Sequence, residues 1–310
     1  MQNYIKKSPF SIAFAKQNDS FVPKALIPYS LVVLNTISDF SSFRNSFSDS
    51  IGFVPTMGAL HEGHLSLIRK SKKENMITVC SIFVNPIQFN NQEDFDKYPN
   101  TLHQDLALLE AVGCDVVFVP SVSEMYQTKH STKFNFGALE LVMEGSFRPG
   151  HFSGVAIVVS KFFNIVRPTV AYFGQKDLQQ TLVVKQLVAD LGFQLKLDIV
   201  ETAREKDGLA MSSRNLRLQP SLRAEAPLLY SELVKAKNKI LKGESIEMVS
   251  ILAKHSINAI RNVKIEYFEI ANAATLQPIK NNFNGEVAIC VAAFFGDVRL
   301  IDNIVFTKDA

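Results

Sequence analysis

The chain has 310 residues, 47% of them apolar, with 33 basic against 30 acidic side chains and a net charge of +3. That is enough apolar material for two compact cores, and too little net charge for the broad positive field of a dedicated nucleic-acid binder, so an anionic ligand has to be met by a local site. The three cysteines, Cys80, Cys114 and Cys290, are odd in number and form no C-x-x-C pair, which suits a reducing, cytoplasmic setting with thiols in the core and no metal knuckle.

Residues 1 to 28 carry Lys6, Lys7, Lys16 and Lys24 against Asp19 around an apolar P-F-S-I-A-F-A. No small-residue cleavage site follows and the arginines of a presequence are missing, so an extension or a packed arm is expected there, not a targeting segment. Beyond it, strand-like and helix-like runs alternate. Ile51 to Pro55 reads as a buried strand, Leu65 to Glu74 as a helix with a basic outer face, and Ile77 to Val84 as a second strand. Thr101 to Gly113 is a helix with Leu102, Leu106, Leu109 and Val112 on one face, and Asp115 to Pro120 is a strand. Phe152 to Val166 reads as a helix, Thr169 to Phe173 as a strand, Asp177 to Leu191 as a helix closed by Gly192, and Leu195 to Val200 as a strand. The apolar run Ile77 to Phe89 is interrupted by Asn85, Pro86 and Gln88, so no membrane span is expected.

This alternation implies a Rossmann-like, doubly wound parallel sheet over 29–203. Past residue 204 the pattern changes to helices over Arg223 to Lys242 and Glu247 to Ile260, then three strand-like runs with Gly296-Asp297 as a hairpin turn. A smaller α+β domain is expected over 204–310.

Ligands of an open parallel sheet sit outside the carboxyl ends of its strands. Val54 to His64, V-P-T-M-G-A-L-H-E-G-H, lies at such an end. Gly58 and Gly63 let the backbone approach a ligand, the helix N-terminus offers free N–H groups, and His61 and His64 project to one side. A capping histidine beside a surface one is the plainer alternative. In F-G-Q-K-D-L-Q-Q, Phe173 to Gln180, Gly174 permits a tight turn, Lys176 suits a phosphate, Asp177 suits a helix cap or a ribose hydroxyl, and Gln180 faces back one turn later. Asp207 to Asn215, D-G-L-A-M-S-S-R-N, offers two hydroxyls and Arg214; Asn85 and Gln88 offer amides without charge, suited to hydroxyl and carboxylate recognition; Arg148 sits in a Gly/Pro-rich loop.

P-T-M-G-A-L-H-E-G-H-L, F-V-N-P-I-Q-F, Y-P-N-T, R-P-G-H-F-S-G-V, F-N-I-V-R-P, F-G-Q-K-D-L-Q-Q and D-G-L-A-M-S-S-R-N occur in that order. The set resembles the pantothenate synthetase (pantoate–β-alanine ligase) family over residues 31 to 306, with H-E-G-H as its HIGH-type motif and M-S-S-R-N as its KMSKS-like loop. The resemblance implies that pantoate's carboxylate attacks the α-phosphorus of ATP to give pantoyl adenylate and pyrophosphate, and that β-alanine then displaces AMP. It implies an ATP site of Met57, Gly58, Ala59, Leu60, His61, Glu62, Gly63, His64, Gly174, Gln175, Lys176, Asp177, Ala203, Met211, Ser212, Ser213 and Arg214, with His64, His61 and Lys176 serving the chemistry. Gln88 and Gln180 are implied for pantoate, with Gln88 also near β-alanine and Asn85 as a further substrate-binding residue, Mg²⁺ on the phosphates, and a homodimer as the assembly.

Ala203 and Gln175 depart from the family's more frequent Val and Glu. Asp105 is a candidate metal ligand, with a solvated helix face as the reading preferred for it. Another adenylyl transferase of the superfamily would want further cations where Asn85 and Gln88 stand, and a non-catalytic ATP-binding module would keep the fold without these amides.

Overall fold

Alternation at the level of single residues builds the first sheet. In the computed structural model, which describes residues 31–46, 48–90, 95–96, 98–128 and 131–309, six strands run parallel in the order β1-β4-β3-β2-β5-β6. They are β1 (Val32–Leu34), β2 (Ile51–Thr56), β3 (Ile77–Ile82), β4 (Val116–Phe118), β5 (Val170–Gly174) and β6 (Lys196–Val200). The expected N-terminal extension, residues 1 to 28, lies outside the described residues. Successive side chains of a strand face opposite ways. Phe53, Val79, Val116 and Phe118 enter one core with helices α1 (Ile37–Asn45), α6 (His151–Val166) and α7 (Leu178–Leu191), while Val54, Cys80 and Val117 enter another under α2 (Glu62–Glu74) and α3 (Leu102–Ala111). With helices on both faces the central strands are buried on both sides and predominantly apolar, which is why they read as nearly continuous runs. Burying a side chain such as Phe53 or Phe118 contributes about 1.5–3 kcal/mol.

Two short helices, α4 (Val122–Met125) and α5 (Met143–Phe147), fill the connection between β4 and α6. Past β6 come α8 (Pro220–Glu225), α9 (Leu228–Leu241) and α10 (Ile246–Asn258), then β7 (Val263–Asn272), β8 (Gly285–Phe295) and β9 (Val298–Lys308) in an antiparallel sheet of order β7-β8-β9. Gly296, at φ 62°, opens the two-residue turn between β8 and β9. Alternation works here too. Val287, Ile289, Val291 and Ala293 face the helices, whereas Ala288, Cys290 and Ala292 face Met143 and Leu178 of the parallel-sheet unit. Small side chains on that second face let the two units approach closely.

The single helix expected over Arg223 to Lys242 is two helices. Pro227 lacks an N–H and its ring crowds the carbonyl four residues earlier, so α8 stops at Glu225 and α9 restarts after Pro227. The cysteines are free and buried, as a core role requires. Among the described residues, no helix is long and apolar enough to cross a membrane.

Candidate active site

The chain moves outward from β2 through β3 to β4 on one side of the sheet, and from β5 to β6 on the other. The order therefore reverses between the neighbours β2 and β5, and an open α/β sheet binds its ligand outside the carboxyl ends at that point. The segments leaving β2 and β5 line a cleft of about 260 Å³ there, together with the end of β3, the Arg148 loop and Met211 to Arg214.

His61 is the N-cap of α2 and His64 stands at its third position. Nδ1 of His61 accepts from the Gly63 N–H at 3.2 Å, and Nδ1 of His64 accepts from the His61 N–H at 3.3 Å. Because both Nδ1 atoms are acceptors, each ring proton sits on Nε2, the donor each ring offers to the cleft that both line. The rings lie 4.1 Å apart between centroids. A Cβ at Gly63 would stand 2.9 Å from the His61 ring, so only glycine fits. Burial first, then Lys176, lowers the His61 pKa to about 4; burial first, then His61 and Lys176, lowers that of His64 to about 3. Both are therefore neutral donors near pH 7. The capping alternative is realised at Nδ1 of both rings, and both residues also line the cleft.

Asp105 is neither a solvated helix residue nor an open metal ligand. It is 2% exposed, and its carboxylate accepts from the N–H groups of Ala59 (3.0 Å) and Leu60 (2.8 Å) and from the Thr101 hydroxyl (3.1 Å). Ala59 is held at φ 50°, a conformation rare for a residue with a side chain. A carboxylate receiving two backbone N–H bonds offsets that strain, at about 1.5–3 kcal/mol per bond to a charged group. Helical periodicity hid this role, since Asp105 shares the buried face with Leu106 and Leu109.

Beyond β3 a short turn, Pro86–Gln88, presents the amides. Asn85 is 1% exposed: it accepts from the Tyr126 hydroxyl at 2.7 Å and donates to Gln88 Oε1 at 3.1 Å and to the Gly154 carbonyl at 3.2 Å. Its amide is committed to orienting Gln88, which in turn donates to Met57 Sδ at 3.0 Å. A Cβ on Gly154 would lie 2.4 Å from the Ile87 carbonyl, so glycine lets α6 pack directly on this turn. His151, buried, donates from Nδ1 to the Gln88 carbonyl at 2.8 Å, and its Nε2 accepts from Arg148 at 3.3 Å. Burial first, then Arg148, lowers the His151 pKa to about 4.

After β5, Lys176 lies 3.8 Å from Asp177, and both line the cleft with Gln180. Asp177 makes no side-chain bond to the helix it precedes, so the capping option is not taken. Gly174 has φ −82°, open to any residue, and a Cβ there would enter empty space; its value is room, not a tight turn. From the antiparallel sheet, Asn303 donates to the carbonyls of Gln175 (2.9 Å) and Lys176 (2.8 Å) and fixes this turn. Ser212 Oγ accepts from the Arg214 N–H at 3.3 Å, and the Met211 N–H donates to the Ala203 carbonyl at 2.9 Å. Tyr98, hydrogen-bonded to Ser213 and facing Arg214, joins the Y-P-N-T segment to this loop; burial pushes its phenol up to about 12.

Of the expected nucleotide residues, Met57, His61, Gly63, His64, Gly174, Lys176, Asp177, Ala203, Met211, Ser212, Ser213 and Arg214 line the cleft, as do Asn85, Gln88 and Gln180. Gly58, Ala59, Leu60, Glu62 and Gln175 do not. Glu62 pairs with Arg69 at the surface, Ala59 and Leu60 give their N–H groups to Asp105, and the Gln175 amide turns to Asn303 at 3.5 Å. Tyr98, Tyr126 and His151 carry parts of the site that spacing alone did not mark.

The family model described as pantoate-beta-alanine ligase matches residues 32–305. A pantothenate synthetase of Cytophaga hutchinsonii is 47% identical over 83% of this chain and 91% of its own length, and one of Caldicellulosiruptor saccharolyticus is 51% identical over the same shares. The pantothenate synthetase structure from Thermus thermophilus has 41% identity and a TM-score of 0.82, covering 88% of this chain and 98% of its own. That of the pantoate-beta-alanine ligase from Francisella tularensis, complexed with beta-gamma ATP and beta-alanine, has 35% identity and a TM-score of 0.71, covering 90% and 98%. By sequence and by fold alike, the chain belongs to the pantoate–β-alanine ligase family.

Proposed function

We infer that the ATP-dependent condensation of pantoate with β-alanine proceeds in this cleft through pantoyl adenylate. The observation that carries the reading is that one cleft is lined both by the donors His61, His64, Lys176 and Arg214 and by the neutral amides Gln88 and Gln180. The donors suit a triphosphate and the amides the hydroxyls and carboxylate of a small acid. A pantoate carboxylate oxygen bonds to the α-phosphorus while the bond to pyrophosphate breaks. The β-alanine amine then bonds to the acyl carbon, the carbon–oxygen bond to AMP breaks, and the amine releases its proton.

Transfers at phosphorus are catalysed mainly by positioning and charge stabilisation. His61 and His64 therefore act as neutral Nε2–H donors to the transition state, and Lys176 supplies the charge. In this reading His64 serves as a neutral hydrogen-bond donor, its pKa lowered to about 3 by burial first, then by His61 and Lys176. Among the described residues, no group of three or more His, Cys, Asp or Glu could hold a metal ion. Mg²⁺ in this reading travels on the ATP phosphates, as this ion prefers, screening their charge with Asp177 as the nearby carboxylate. A homodimer in the cytoplasm, with the chain divided near residue 204, completes the proposal.

Labelled pyrophosphate should exchange into ATP with pantoate and Mg²⁺ present and β-alanine absent, because the adenylate step needs no amine. Exchange that requires β-alanine, or ADP as product, overturns the adenylate. In the same assays Gln88→Ala and Gln180→Ala should raise the KM for pantoate more than that for ATP.

A further inference from the structure

The parallel and antiparallel units meet in an ion-pair cluster beside the cleft. Arg299 on β9 lays its guanidinium on Glu144 of α5, Nη2 to Oε1 at 2.6 Å and Nη1 to Oε2 at 2.9 Å. Tyr267 on β7 donates its hydroxyl to the same Oε1 at 2.9 Å, and Glu266 also accepts from Arg299. These charges are largely buried, with 15% of the Arg299 and 12% of the Glu144 side chain exposed. Glu144 has little freedom to move: its N–H donates to Gln179 Oε1 at 2.9 Å, and Met143 before it is held at φ 45°.

A second cation waits on this carboxylate. Arg148, one helical turn further on, places Nη1 3.8 Å from Glu144 Oε2 while donating to His151 at 3.3 Å. His151 donates in turn to the Gln88 carbonyl at 2.8 Å. A two-pronged guanidinium contact outweighs a single one at 3.8 Å. With the antiparallel unit seated, Glu144 is committed to Arg299 and Arg148 is left to His151 and the cleft it lines. With Arg299 withdrawn, the uncompensated carboxylate draws Arg148 off His151, since a buried charge without a partner is costly.

We propose that Glu144 is a positioning residue that ties the seating of the antiparallel unit to the pantoate subsite: by engaging Arg299 it leaves Arg148 to hold His151, and through it the turn that carries Gln88. The inference rests on the reading of Gln88 as a pantoate ligand. An ion pair that merely held the units together would shift thermal stability and weaken ATP and pantoate alike. A relay acts on pantoate selectively, and only through Arg148.

The test is steady-state kinetics on the full chain with Gln88→Ala, Arg148→Gln, Arg299→Lys, Glu144→Gln and the double variant Arg148→Gln/Arg299→Lys. Arg299→Lys keeps the charge and loses the fork, and should raise the KM for pantoate by about three- to thirtyfold, the range of mutations along a coupled network, with the KM for ATP little changed. Glu144→Gln removes the carboxylate that would draw Arg148 away, so it should leave the KM for pantoate close to that of the unaltered protein, and a rise there as large as that of Arg299→Lys overturns the relay. In the Arg148→Gln background the Arg299→Lys effect on pantoate should disappear. Independent, multiplying effects, or equal losses for ATP and pantoate, overturn the relay while a raised pantoate KM in Gln88→Ala leaves the site standing. An unchanged pantoate KM in Gln88→Ala removes the site reading and the relay together.

Discussion

A histidine whose Nδ1 accepts from the backbone has its proton fixed on Nε2, and that one constraint makes His61 and His64 oriented donors before any ligand arrives. Losing a preorganised donor of this kind costs on the order of 10² to 10³ in rate. His64→Ala and His61→Ala should each lower kcat for AMP formation by about that factor, with the circular dichroism spectrum unchanged; near-normal turnover in both would sink the assignment. Asp105 acts one layer below. Asp105→Asn replaces an acceptor atom by an NH₂ group and strands the Ala59 or Leu60 N–H, a buried unsatisfied donor worth about 1–3 kcal/mol. A lower thermal midpoint together with a lower kcat is expected, and a variant with neither change would show that the loop does not depend on this carboxylate.

At the scale of elements, the same buried imidazoles make stability depend on pH. His61, His64 and His151, at the starts of α2 and α6, have folded pKa values of about 4, about 3 and about 4, below the ordinary 6.5. Between about pH 6.5 and 4 the unfolded chain therefore binds more protons than the folded one, so stability rises with pH across this window and is lost as pH falls through it. The thermal midpoint should drop between about pH 7 and pH 4.5, and His151→Gln should make that drop shallower; an unchanged slope would mean that His151 takes up its proton without unfolding. The elements themselves were largely legible in the sequence, because central strands buried on both faces read as apolar runs and α3 shows a clean helical face. What escaped did so for physical reasons. Helix α1 buries only Phe40 and owes its start to the Thr36 cap, too weak a pattern to mark a helix, and the break at Pro227 was masked by apolar periodicity continuing on both sides. The site was legible where ligand-facing residues cluster behind a strand. It was not where a residue acts through another, as Tyr126 does through Asn85 and His151 through the Gln88 carbonyl, since such contacts join segments up to 63 positions apart.

For the whole molecule, the two units shape the cleft together: Asn303 of the antiparallel sheet holds the Lys176 turn, and Tyr98 of the parallel unit meets Ser213 and Arg214. The seat is the face of β8 that carries Ala288, Cys290 and Ala292, all 5% exposed or less, against Met143 and Leu178. None of these three side chains is larger than a thiol, so at this seat the distance between the units is set by small side chains. Ala292→Leu adds volume where packing has no slack, and overpacking costs about 1–3 kcal/mol. The strain can be met by unfolding or by separation of the units, and separation is the easier route, since the helix-facing core around Phe268, Ile289 and Phe295 is untouched. Two-step behaviour should follow: a thermal midpoint lowered by a few degrees and a larger fall in kcat, as Lys176 and Arg214 lose their register across the cleft. Ala293→Leu, one position along and facing the helices instead, should lower the midpoint at least as much but cost less activity in the protein that remains folded. Activity losses that simply track stability in both variants would mean that the spacing of the two units does not control catalysis.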